Sequence, residues 1–125
     1  MILIAQPQME LKKMKRGEIY FANLDPTIGK EIQKKKPVLI ISNNASNRMS
    51  ALITVIPITS NIQKVYPFEV LLEIKDSGLL KPSKVQCHQI RTISKLRIHG
   101  TKAGVVDNKV ISHIDSALKL HLGIQ

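Results

Sequence analysis

The stretch Pro37-Val38-Leu39-Ile40-Ile41 is followed, across the polar run Ser42-Asn43-Asn44-Ala45-Ser46-Asn47, by Leu52-Ile53-Thr54-Val55-Ile56-Pro57-Ile58. Both apolar runs are rich in β-branched residues and have the length of strands, too short for independent helices. The serines and asparagines between them supply turn chemistry, with room for one helical turn. Pro57 has no amide hydrogen to give to a ladder, so the second strand is expected at an edge or a bulge, with Thr59 at its end.

Working outward, Glu18 to Leu24 reads as a strand closed by the turn-forming Asp25-Pro26. A long loop follows, carrying Gly29, Lys30 and Glu31 and then Lys34-Lys35-Lys36. It ends at Pro37, which pushes its predecessor towards an extended conformation. Downstream, Phe68 to Glu73 is a further strand, Lys75-Asp76-Ser77-Gly78 and Lys81-Pro82-Ser83 are punctuation, and a strand is expected through Val85 to Thr92. The period then changes. Val106, Val110, Ile111, Ile114, Leu118 and Leu122 recur at three- and four-residue spacings, with Asp107 as N-cap and Gly123 as stop. Short strands followed by one amphipathic C-terminal helix predict an α+β fold with a curled antiparallel sheet. Residues 1–14 show no sustained periodicity and are expected to form a poorly ordered N-terminal extension, leaving 15–125 as a single domain.

Nineteen Lys and Arg against nine Asp and Glu give a net charge of +10 and a pI near 10.0. That balance favours a polyanionic partner: nucleic acid, an anionic membrane or an acidic protein. No apolar run approaches the roughly 20 residues that span a bilayer, which argues against an integral membrane protein. Met1-Ile2-Leu3-Ile4-Ala5 is short, lacks a preceding basic residue and is soon followed by Pro7 and Glu10, unlike a secretory signal, so the cytoplasm is expected. Cys87 is the single cysteine, which excludes an internal disulfide and reads as a buried thiol. His88, His99, His113 and His121 make no recognised ligand spacing, and neither a metal nor another cofactor is expected. Aromatic residues make up only 3% of the chain, so binding of a single-stranded nucleic acid by successive base stacking would have few platforms.

Four runs in order, Arg16-Gly17-Glu18-Ile19-Tyr20-Phe21, Lys36-Pro37-Val38-Leu39-Ile40-Ile41, Pro57-Ile58-Thr59-Ser60 and Gln89-Ile90-Arg91-Thr92-Ile93, resemble the MazF/PemK/Kid family of endoribonuclease toxins. The resemblance implies a small SH3-like antiparallel β-barrel of the CcdB/PemK type with a packed helix, assembled as a homodimer. It also implies the toxin of a type II toxin-antitoxin system, silenced by a cognate antitoxin with an acidic disordered segment. The implied activity is sequence-selective, metal-independent cleavage of single-stranded RNA to 2′,3′-cyclic phosphate and 5′-hydroxyl ends.

Within that resemblance Thr59 is the catalytic threonine, and Lys36 stands where the family has an arginine. The exchange is not conservative, because a guanidinium grips phosphate oxygens with a planar fork while an ammonium is a point charge on a flexible stem. His88 occupies a position where family members commonly carry an acidic residue, and imidazole suits proton transfer at neutral pH. Gly29, Lys30, Glu31, Lys34, Lys35, Ser60, Gln89 and Arg91 are the expected substrate-binding residues. The Arg-to-Lys exchange keeps an alternative open: a non-catalytic member that traps DNA gyrase, as the related CcdB toxins do, or that binds only RNA or antitoxin.

Overall fold

The computed structural model describes residues 13–24 and 35–125. Strands β1 (Glu18–Asn23), β2 (Lys35–Ile40) and β3 (Leu52–Thr59) form antiparallel neighbours, with helix α1 (Asn44–Met49) in the β2–β3 connection. β4 (Glu69–Leu72) leads through a single helical turn, α2 (Ile74–Ser77), into β5 (Ser83–Gln86). A 3-10 turn over Cys87–Gln89 precedes β6 (Arg91–Ser94), a second over Lys95–Arg97 precedes β7 (Ile98–Val105), and α3 (Asn108–Leu122) ends the chain. The sheet order is β4-β5-β3-β2-β1-β7, with β6 also paired to β3.

This is the expected mixture of antiparallel sheet and C-terminal helix, but among the described residues the sheet curls without closing: no ladder joins β4 or β6 to β7. The single strand expected through Val85 to Thr92 is instead β5, a 3-10 turn and β6, so Cys87 and His88 are not strand neighbours on opposite faces. β7 carries no sustained alternation of apolar residues and is held by its ladder to β1, which is why its sequence did not announce a strand. Met14, the residue that closes the expected extension, is 3% exposed, so packing begins no later than that residue.

Curling gives the central strands two buried faces. Ile19, Leu39, Ile56 and Ile58 pack towards α3 through Ile114 and Leu118, while Tyr20, Val38, Ile40, Ile53 and Val55 pack on the other face with Ile93 and Ile98. Strands buried on both sides read as continuous apolar runs. α3 is capped as its sequence predicts: the Val110 amide donates to the Asp107 side chain at 3.0 Å, and Gly123 ends the helix at φ +70°. Arg16 ties the chain start to this helix by pairing with Asp115 and donating to the Ile41 carbonyl at 3.0 Å.

Two backbones meet where α2 ends against β7. Gly78 caps α2 at φ +73°, and a Cβ built on Gly104 would lie 1.9 Å from the Ser77 carbonyl oxygen. Such an overlap with main chain forces the helical turn off the strand. A Gly104→Ala protein is therefore expected to lose about 1–3 kcal/mol or more. A urea midpoint equal to that of the parent protein would show that the contact yields without cost.

Candidate functional site

β2 and β3 pair antiparallel with Val38 opposite Pro57. Carrying that register two residues outward brings Lys36 opposite Thr59, and both side chains line a cleft of about 520 Å³ at this end of the sheet. Residues far apart in the chain thus meet because one ladder aligns them. Lys36 is exposed on β2 and makes no ion pair among the described residues. Thr59 is half-buried at the last position of β3, and its Oγ1 accepts the Asn61 amide at 3.2 Å. That contact occupies a lone pair and leaves the hydroxyl hydrogen free to donate.

Pro57 corrects the edge expectation. β3 is an interior strand, paired with β2 on one side. On its other side it pairs with β6 up to Val55 and with β5 from Ile58. The proline sits in the gap where β3 changes partner, and there the missing amide hydrogen costs no ladder bond. Past that change of partner, Thr59 ends the strand at the cleft.

Ser60 and Gln89 join Lys36 and Thr59 in the lining, as their sequence positions imply. Lys81, Gln86, Phe21 and Leu80 line it too and were not foreseen. Lys81 belonged to a stretch read only as punctuation, though loops on a rigid scaffold commonly carry function. Among the described residues no Asp or Glu contributes to the lining, where Lys36 and Lys81 supply positive charge.

Other expected residues lie elsewhere. His88 is not among the lining residues: its ring packs edge-on against Phe68 at 4.6 Å and lies 6.2 Å from His121 of α3. Its Nδ1 is buried without a hydrogen-bond partner among the described residues. The 3-10 turn separates it from Gln89, turning one towards α3 and the other towards the cleft. Lys35 is exposed opposite Asn23, outside the lining. Arg91 donates to the Leu24 carbonyl at 3.2 Å, which gives it a bracing role beside β1. Gly29, Lys30, Glu31 and Lys34 lie outside the described residues.

With this geometry, a family model described as PemK-like, MazF-like toxin of type II toxin-antitoxin system matches residues 15–122. The chain belongs to this family. It is 41% identical over 116 residues to endoribonuclease MazF9 of Mycobacterium tuberculosis, covering 89% of this chain and 98% of that protein. Against endoribonuclease EndoA of Bacillus subtilis it is 38% identical over 112 residues, covering 89% and 96%. Among solved structures, an endoribonuclease in complex with its cognate antitoxin from a mycobacterial species superposes with a TM-score of 0.71 at 28% identity, over 92% of this chain and 98% of that one.

In this PemK/MazF-family chain the segment leaving Thr59 is anchored by a buried ion pair. Lys84, opposite Thr59 in the β3–β5 ladder, sends its Nζ to Glu69 Oε1 at 3.0 Å and to the Lys64 carbonyl. Burial works against the Glu69 carboxylate, but the Tyr66 amide, donating at 3.0 Å, and the Lys84 ammonium together hold it below its ordinary range. Cys87 is fully buried, and burial pushes its thiol up to about 12, so it offers no thiolate nucleophile at neutral pH. Among the described residues no helix is long and apolar enough to cross a membrane.

Proposed function

We propose that this family member is the toxin of a type II toxin-antitoxin system and acts as a sequence-selective, metal-independent endoribonuclease on single-stranded RNA, with Lys36 and Thr59 as its catalytic pair. The observation that carries the reading is the convergence of these two side chains in one cleft. The names of the relatives and the family assignment support it.

The nucleophile belongs to the RNA. The 2′-oxygen attacks the adjacent phosphorus, the P–O2′ bond forms and the P–O5′ bond breaks. The 2′-hydroxyl proton leaves to a base, and the 5′-oxygen takes up a proton as it departs. The products are a 2′,3′-cyclic phosphate and a 5′-hydroxyl. Lys36 supplies positive charge where the phosphorane gathers negative charge, and a proton within reach of the leaving oxygen. Thr59 donates its hydroxyl hydrogen to a non-bridging oxygen, held in orientation by the Asn61 amide. His88 has no part in this scheme, because it packs against Phe68 and His121.

The finer architecture belongs to the same proposal. That β3 takes β6 on its first half and β5 on its second supports an SH3-like barrel. Exposed Leu71 on β4 and Leu120 on α3 line a shallow groove with Pro67 and Val70, which supports a homodimer formed by a second copy of the chain. An acidic, disordered antitoxin segment would compete with RNA for Lys36 and Lys81 in the cytoplasm.

The test uses an RNA cut by the protein in EDTA, remade with a single 2′-deoxyribose immediately 5′ of the mapped scissile phosphate. The substituted strand is expected to stay intact at that site while the all-ribose strand is cut. Cleavage of both would show that an external nucleophile does the chemistry and would overturn the scheme.

A further inference from the structure

β1 is an interior strand, flanked by β2 and β7, and its residues are buried except one. Phe21, 39% exposed, faces the cleft. A sheet residue with neighbours on both sides that still shows its aromatic face is oriented by the ladder. Phe21 is opposite Pro37 on β2 and His99 on β7, and its register is set beside an irregularity between Ile19 and Phe21. Pro37 follows Lys36 directly, so the ring stands one residue away in register from the cation proposed to hold the phosphate. Leu80, 95% exposed, adds a second apolar surface to the lining.

The polar part of the lining beside these two carries Gln86, half-buried on β5, and Gln89. Neither side-chain amide is occupied by a hydrogen bond to another described residue, so each has a donor and an acceptor to offer. An exposed aromatic face, a leucine edge and free amides beside a phosphate-holding cation match an unstacked nucleobase, with its π-face on the ring and its edge read by amides.

We propose that Phe21, Leu80 and Gln86 form a base-binding subsite for the nucleotide flanking the scissile phosphate, Phe21 as the stacking platform and Gln86 as a specificity-determining residue. This rests on the ribonuclease reading above. It is compatible with the scarcity of stacking platforms: one platform placed at the reacting phosphate fixes register where a row of platforms is absent.

The experiment uses the mapped RNA with 2′-deoxyribose at the cut, carrying the fluorescent base 2-aminopurine in turn at each position around that cut. Binding to the unsubstituted protein is expected to quench one flanking position. Phe21→Ala should abolish that quench and weaken binding about 5- to 150-fold, the equivalent of losing one stacked base. Phe21→Trp should restore both, while circular dichroism melts show all three proteins folded. Gln86→Leu should leave the quench and relax base preference at that position when cut sites are mapped. If the parent protein cuts RNA and Phe21→Ala binds and quenches like it, the subsite is wrong and the ribonuclease reading stands. If the parent protein neither cuts nor binds RNA, both fall together.

Discussion

Lys36→Ala and Thr59→Ala are each expected to slow RNA cleavage by about 10²–10³-fold, the loss seen when one preorganised donor to a developing oxyanion is removed. The loss should fall mainly on the rate of the bound complex, since both groups act on charge that grows in the transition state. Neither change should disturb folding, because Lys36 is exposed and Thr59 ends its strand. Lys36→Arg preserves the charge but replaces a point ammonium by a planar fork, so it is expected to retain more activity than Lys36→Ala. Single-turnover cleavage of a mapped RNA, with protein in excess, measures these rates free of product release. A Lys36→Ala protein that cuts as fast as the parent would remove the ammonium from the mechanism and send the search to Lys81. RNA left intact by the parent protein itself would turn attention to a gyrase-type target or an antitoxin-only role.

The largest stability effect is expected at Lys84. Its side chain and that of Glu69 are 10% and 2% exposed, so the pair is shielded from solvent. Replacing Lys84 by Met leaves a buried carboxylate facing an apolar side chain, a change that typically costs about 3–5 kcal/mol. Removing both charges with Lys84→Met and Glu69→Leu should recover much of that loss, because the desolvation penalty leaves with the carboxylate. Chemical denaturation of the three proteins tests this, and a single variant as stable as the parent would show the pair to be idle.

The same pair sets a pH dependence. The Glu69 carboxyl is held below its ordinary value in the folded chain, so its contribution is complete above that value and is lost as pH falls through the depressed one. Acid unfolding of the parent protein should therefore be steeper than that of the doubly substituted one. Because Lys84 also holds the Lys64 carbonyl, the single variant is expected to loosen the segment after Thr59 and to cut more slowly even where it remains folded.

Much of the fold was legible one element at a time. The β-branched runs of β2 and β3, the capped periodicity of α3 and the turn chemistry around α1 are local signals, and each element carries its own. β7 was not legible, since its ladder to β1 rather than its side chains makes it a strand. The turn at Cys87–Gln89 was hidden for a related reason: the residues around it suit a strand, and only the change of partner from β5 to β6 along β3 breaks it. Pro57 showed that something interrupts the ladder there without showing what.

By itself the sequence determined the α+β class, the family, the polyanionic character of the partner and the two residues proposed for the chemistry. All of these depend on residue identity, charge and spacing, which are written along the chain. The tertiary structure decided which residues share a cleft. A β2–β3 register brings Lys36 to Thr59, a 3-10 turn parts His88 from Gln89, and an interior strand contributes Phe21 to the same cleft. The physical reason is that a site is a matter of distance in space, and ladders between segments remote in sequence set those distances. Side-chain identity carries no record of which strand will lie alongside.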